Sequence, residues 1–117
     1  DGMFPGGMFN AKTLEFWRQL GQVNFPAYWA KCNAHVLSVW GENDFVTFGI
    51  EHQLIADTVN RVKPGMAKYV TVPKSDHLFH DWETQKESQQ KFGQGKYNSA
   101  FSKLMMEWMR EVMAKPN

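Results

Sequence analysis

Three features that would assign this chain of 117 residues to other classes of protein are missing. A single cysteine, Cys32, excludes an internal disulfide and a zinc site built on cysteines. No apolar run approaches the ~20 residues that a membrane-spanning helix needs. Residues 1–10 also lack the basic start and apolar core of a signal peptide, so we predict no membrane span and leave the localisation undetermined.

An excess of charge of one sign is missing as well. The 13 basic and 12 acidic residues leave a formal net charge of +1, and the lysines are scattered. This pattern excludes the basic patch of a nucleic-acid-binding protein. Apolar material is plentiful, since 43% of the residues are hydrophobic and 15% are aromatic. We therefore expect one domain with a core of its own.

Two strands with a helix between them form the most regular part of the pattern. Apolar runs at about 35–40 and 67–72 predict the strands, and the stripe within 48–62 predicts the helix. Because a helix connects the two strands, they should be parallel, which makes the fold class α/β. The predicted inner face of this helix comprises Leu54, Ile55, Thr58, Val59 and Val62.

Further helices are predicted on both sides of this unit. After an irregular lead-in at residues 1–9, Asn10 predicts the start of a first helix and Asn24 that of a second. The polar stretch 83–98 predicts a long loop or a loosely ordered helix. A C-terminal helix at 99–114 follows from apolar residues at helical spacing, and we expect its apolar face to be buried. That face comprises Phe101, Leu104, Met105, Trp108 and Val112.

A carboxylate and an imidazole follow the two predicted strands. Asp44 comes shortly after the first strand, and His77 comes shortly after the second. In a parallel sheet the loops after neighbouring strands meet at one edge, so these side chains should lie within hydrogen-bonding reach. A carboxylate beside a histidine fixes the tautomer of the imidazole and stabilises the imidazolium that forms during catalysis. The pattern predicts the acid and base of a Ser-His-Asp triad.

Both motifs resemble those of a known family. Residues 35–47, with the sequence HVLSVWGENDFVT, resemble the penultimate strand of α/β-hydrolases and the Gly-x-x-Asp turn that carries the catalytic acid. Residues 69–80 resemble the last strand and the loop with the catalytic histidine. The resemblance covers about residues 24–114, and its specific motifs are confined to these two segments.

The resemblance implies the C-terminal part of an α/β-hydrolase-fold serine hydrolase. Such an enzyme would cleave an ester, amide or related bond of a small-molecule or peptide substrate, as an esterase or a peptidase. His77 would act as general base and then general acid, and Asp44 would orient it. No cofactor and no metal is implied. Residues 1–117 would form a single partial domain, with a lead-in or lid-derived helix at 1–23 and the hydrolase segment at 24–117.

The chain departs from the family pattern at several points. His35 stands where the family often has proline, and Asp76 stands where it often has glycine before the catalytic histidine. No Gly-x-Ser-x-Gly motif is present, although the family places its nucleophile ahead of the acid. We therefore predict that this chain alone is inactive. Its partner would be the upstream half of the same hydrolase or a second copy of the chain.

Less specific interpretations stay open beside this one. Asp44 is also a favoured helix cap, and His77 is compatible with an ordinary loop histidine. Asp76 is interpreted chiefly as a solvated neighbour of His77, and Cys32 as a small buried hydrophobe. Two other functions are possible: an interaction module that pairs through its sheet edge, or a metal site at Asp76–Asp81.

Overall fold

The computed structural model describes residues 8–9 and 12–116, which form a mixed α/β structure of helices and short strands. The predicted lead-in at 1–9 lies almost entirely outside the described residues, and so does the predicted helix cap Asn10. The elements in chain order are β1 (Met8–Phe9), β2 (Lys12–Thr13), α1 (Leu14–Gly21), α2 (Phe25–Ala30), β3 (Val36–Gly41), α3 (Gly49–Val62), β4 (Ala67–Val72), β5 (His80–Asp81), α4 (Gln85–Gln90), β6 (Lys96–Tyr97) and α5 (Ser99–Met113).

A two-stranded parallel sheet lies at the centre of the structure. β3 pairs with β4 in a register that begins with Val36 opposite Ala67 and ends with Gly41 opposite Val72. The predicted strands and their parallel orientation are confirmed, and each boundary lies within one residue of its expected position. Because the register is even, both strands end at the same level, and the loops that follow them start side by side.

Helix α3 connects the two strands, as the periodicity predicts. It begins at Gly49, where Glu51 accepts a hydrogen bond from the backbone N–H of Phe48 at 3.1 Å. Its buried residues are Ala56 and Val59. The predicted inner face is wrong at two positions, since Leu54 and Val62 are each 54% exposed. A sheet of two strands is too narrow to cover the whole apolar stripe of a 14-residue helix.

Two short helices precede the sheet. α1 begins at Leu14, and Thr13 caps it by accepting the N–H of Phe16 at 3.2 Å. This start is later than the one predicted at Asn10. The predicted start of α2 is confirmed: Asn24 accepts the N–H of Ala27 at 3.1 Å.

The polar stretch 83–98 contains more order than a loop. α4 begins after Thr84, which accepts the N–H of Glu87 at 3.2 Å. β6 then pairs antiparallel with β5, so that His80 lies opposite Tyr97. The chain therefore returns to the loop that carries His77. No local periodicity indicates this, because each strand of the pair has only two residues.

The C-terminal helix α5 is the last element of the described structure. It spans Ser99–Met113, within one residue of the prediction, and Phe101 stacks on Phe79 with ring centroids 3.8 Å apart. The expected burial of its apolar face is wrong, because no residue of α5 is fully buried. An open groove of roughly 400 Å³ lies between the helix and β3. Its lining consists of Leu37, Val39, Phe79, Phe101, Met105 and Trp108.

The molecule is a thin slab. Its principal extents are 54 × 36 × 19 Å, and its radius of gyration is 17.1 Å, against about 13 Å for a compact domain of about this length. Helices lie beside a sheet that is only two strands wide, so few apolar residues reach a closed core. No helix within the described residues is long and apolar enough to cross a membrane.

Candidate active site

The loops after β3 and β4 form the candidate site. We call residues 42–48 the acid loop and residues 73–79 the histidine loop. Gly41, at the end of β3, lies against the histidine loop so closely that a Cβ there would be 2.5 Å from the carbonyl oxygen of Ser75 and 2.6 Å from that of Asp76. Glycine is therefore required at this position, because any side chain would push the two loops apart.

Asp44 is held in place by three donors besides the histidine. Its Oδ1 accepts the backbone N–H groups of Val46 at 2.7 Å and Thr47 at 3.0 Å, and its Oδ2 accepts the Thr47 hydroxyl at 2.7 Å. The residue is only 4% exposed. Burial acts to raise the pKa of Asp44, but hydrogen bonds from Thr47, His77 and Val46 outweigh it and leave the pKa below its ordinary value. Asp44 is therefore a carboxylate at neutral pH.

The predicted contact between Asp44 and His77 is present. Nδ1 of His77 lies 2.9 Å from Oδ2 of Asp44, across 33 residues of sequence. Because Asp44 is ionised, the proton of this hydrogen bond belongs on Nδ1 of the imidazole. The His77 side chain is 40% exposed, so a reacting group can approach the ring from solvent. With the proton on Nδ1, Nε2 is the ring nitrogen whose lone pair can accept a proton. The arrangement suits general base catalysis; its catalytic role stays a prediction.

Hydrogen bonds join the acid and histidine loops into one unit. Asn43 donates its backbone N–H to the carbonyl of Ser75 at 2.7 Å and its side-chain amide to the carbonyl of Trp82 at 2.6 Å. Glu42 accepts the N–H of Lys74 at 3.0 Å. The geometry of the site therefore does not depend on the Asp44–His77 bond alone.

A residue distant in sequence also braces the acid. The side chain of Gln85, at the start of α4, donates to the backbone carbonyl of Asp44 at 2.8 Å. Sequence reasoning missed both Gln85 and the bridging role of Asn43. Asn43 lies within the acid motif, which could have drawn attention to it. Gln85 lies in a polar stretch that carries no comparable signal.

Asp76 is not the solvated neighbour that we predicted. It is fully buried, and each of its carboxylate oxygens accepts two hydrogen bonds. The donors are the backbone N–H groups of Leu78 and His80, the indole of Trp82 and the hydroxyl of Ser88, at distances of 2.8–3.0 Å. The prediction failed because burial of a carboxylate depends on donors that the folded loop supplies.

The serines and the cysteine of the described chain do not complete a triad. Ser75 accepts a hydrogen bond from Asn98, and Ser88 donates to Asp76. Cys32 is half-buried beyond α2, not in the core as expected, and its sulfur lies 3.9 Å from the carbonyl oxygen of Ala34. Within residues 12–116, no hydroxyl or thiol is hydrogen-bonded to the ring of His77.

The described residues do not provide enough ligands for the predicted alternative, a metal site at Asp76–Asp81. In the two ranges that the structure describes, no group of three or more His, Cys, Asp or Glu side chains is placed to coordinate a metal. Both oxygens of Asp76 are occupied by hydrogen bonds. Nδ1 of His80 is buried without a hydrogen-bond partner in the described structure, but His80 contributes only one nitrogen.

Comparison with protein-family models, curated proteins and solved structures finds no match to this chain. The site is therefore interpreted from its own geometry: an ionised, buried carboxylate, a partly exposed imidazole bonded to it, and two loops held together by further hydrogen bonds.

Proposed function

We propose that this chain is the C-terminal portion of an α/β-hydrolase-type serine hydrolase and supplies the acid and the histidine of its triad. The observation that carries the proposal is the 2.9 Å hydrogen bond between Asp44 and His77 at the carboxyl ends of two parallel strands. An ordinary helix cap would not explain it, because Asp44 uses one oxygen for the backbone of its own loop and shares the other between Thr47 and His77.

In the proposed mechanism, His77 takes the proton of a serine hydroxyl through Nε2. The serine oxygen attacks the carbonyl carbon of an ester, amide or related bond. His77 then returns the proton to the leaving group, and in a second round it activates water to hydrolyse the acyl-enzyme. Asp44 keeps Nδ1 protonated and stabilises the imidazolium that forms in each round. This chemistry defines the type of bond that is cleaved and fits both a small-molecule and a peptide substrate.

The nucleophile would come from outside these 117 residues. The sequence lacks the Gly-x-Ser-x-Gly motif that presents such a serine at the top of a sheet. In the described structure β3 pairs only with β4. A preceding parallel strand on the other edge of β3 would extend the sheet and bring its own following loop toward His77. The upstream half of the same hydrolase therefore fits as the partner.

A second candidate, an interaction module without catalysis, is favoured by the same sheet edge. In the described structure the parallel sheet has only two strands, so each strand has one unpaired edge, and an unpaired edge binds other strands. A second copy of the chain would satisfy this edge as well. The module does not require any contact between Asp44 and His77, and it leaves that bond without a role.

The test compares this chain with the same chain preceded by its upstream coding sequence. Both are assayed with activated esters and labelled with a fluorophosphonate that reacts with catalytic serines. We expect no His77-dependent turnover from the chain alone. We expect turnover and labelling from the longer protein, and His77→Ala should lower kcat by about 10⁶-fold because the serine loses its base.

His52→Ala is the matched control, because His52 lies on α3 away from His77. Within the described residues, the one hydrogen bond of its ring is to the carbonyl of Phe48, the residue that precedes that helix. Its kcat should stay within about twofold of the parent value. Esterase activity of the isolated chain that disappears in His77→Ala would contradict the proposal. A longer protein without a reactive serine, together with stable self-association in size-exclusion chromatography, would favour the interaction module.

A further inference from the structure

We infer that Asp76 is a positioning residue: its buried carboxylate shapes the histidine loop so that the ring of His77 faces Asp44. The catalytic value of this positioning rests on the proposed function. Asp76 directly precedes His77 in sequence and is 0% exposed. A charged residue with no exposed surface is rare in proteins and needs compensating partners.

The partners of Asp76 close the loop on both sides of His77. Oδ1 accepts the backbone N–H groups of Leu78 at 2.9 Å and His80 at 3.0 Å. The backbone N–H of Asp76 donates to the carbonyl of His80 at 3.0 Å, and its carbonyl accepts the N–H of Phe79 at 3.0 Å. These four bonds wrap residues 76–80 into a tight turn whose second residue is His77.

Two side chains fix this turn to the rest of the molecule. Oδ2 of Asp76 accepts the indole N–H of Trp82 at 2.8 Å and the hydroxyl of Ser88 at 2.9 Å. Ser88 belongs to α4 and is itself fully buried. The same helix braces the acid loop through Gln85. Asp76 therefore connects the histidine loop to an element that also contacts the acid loop.

The turn includes a strained residue that these bonds hold. Phe79 has φ = 56°, in the left-handed region that a side chain disfavours. Such a conformation persists only where the surrounding structure over-determines it. Without the Asp76 carboxylate, we expect the turn to relax and the direction of the His77 ring to be lost, although the strands and helices remain.

The test reads the tautomer of His77 in the isolated chain by ¹⁵N chemical shifts of the ring at alkaline pH. The His77 signals are assigned by their loss in His77→Gln. In the parent chain the Nδ1–H tautomer should predominate, because Asp44 accepts that proton. In Asp76→Asn its population should fall by about twofold or more, while circular dichroism shows a cooperative fold. Asp81→Asn, an exposed neighbour in the same segment, should leave the tautomer unchanged.

Ser88→Ala is the second variant, since it removes one donor and keeps the carboxylate. It decides the question if Asp76→Asn does not fold, and a smaller shift in the same direction would support the inference. An unchanged tautomer in a folded variant would overturn it. Loss of the fold in both variants would also overturn it, because Asp76 would then be only a structural residue.

Catalysis gives a separate readout. In an active longer protein, Asp76→Asn should lower kcat roughly 10- to 100-fold and leave KM within about twofold, as expected for a misdirected base. The tautomer measurement requires no turnover. A tautomer shift without any hydrolase activity would therefore refute the proposed function and leave the positioning by Asp76 intact.

Discussion

Two regions of the molecule differ in the residues that they bury. One is the sheet edge with the acid and histidine loops, and the other consists of the outer faces of the helices. In the loops and the strand before them, polar residues are buried: Ser38, Asn43, Asp44, Ser75 and Asp76, together with Ser88 of α4. On the helices, large apolar residues are exposed, among them Phe25, Tyr28, Leu54, Ile50 and Met113. The buried apolar residues of the described chain are Ala56, Val59 and Val72.

This difference shows that two kinds of interaction organise the two regions. The loops are held by directional hydrogen bonds that saturate their buried polar groups, and these bonds need no large core. The helix faces depend on apolar contact, which requires a covering layer. A slab 19 Å thin cannot supply that layer on both sides. The loops of the site are therefore held by more specific contacts than the helix faces are.

The largest expected effect comes from forcing the two loops apart. Gly41→Ala places a methyl group 2.5 Å from the carbonyl oxygen of Ser75, and backbone atoms on both sides cannot easily move. We expect the free energy of unfolding to fall by about 3 kcal/mol. Gly21→Ala is the matched control, because its added carbon meets no atom within 4 Å. Urea denaturation measures both, and equal effects would contradict the tight packing of the loops.

A smaller effect should separate the buried and exposed parts of one helix. Val59→Ala removes methyl groups from a site that is 1% exposed and should cost about 2 kcal/mol of unfolding free energy. Val62→Ala makes the same change three residues later, where the side chain is 54% exposed, and should cost less than about 0.5 kcal/mol. Thermal unfolding of both variants tests this. Similar losses would mean that the outer face is covered in solution.

The smallest expected effect concerns acid stability. The pKa of Asp44 in the folded chain lies below the ordinary value of 3.8, so the folded state binds this proton less readily than the unfolded state. The resulting stabilisation is complete above pH 3.8 and is lost as the pH falls through the folded pKa. Asp44→Asn should therefore flatten the decline of unfolding free energy with acid, and Asp57→Asn, an exposed carboxylate on α3, should not. Denaturation measured at a series of pH values below 5 tests this. If Asp44 contributes nothing, the unfolding free energies of the parent and of Asp44→Asn would fall in parallel as the pH decreases.

Local pattern was sufficient for much of the fold and for the pair at the site. Apolar periodicity predicted β3, α3, β4 and α5 within about a residue, because strands and helices repeat over distances that a short segment reveals. The rule that parallel strands align their carboxyl ends then predicts that Asp44 and His77 lie together, as they do in the structure.

Tertiary structure alone decided what surrounds that pair. The loop sequence predicts a solvated Asp76, yet donors up to 12 residues away bury its carboxyl group, and Gln85 braces Asp44 across 41 residues. Helical periodicity predicts buried helix faces, yet Leu54 and Val62 are exposed because the sheet is narrow. Burial of a polar group depends on hydrogen-bond partners that only the folded chain brings together. Burial of an apolar face depends on the layer that packs against it. The apolar periodicity of a single segment encodes neither.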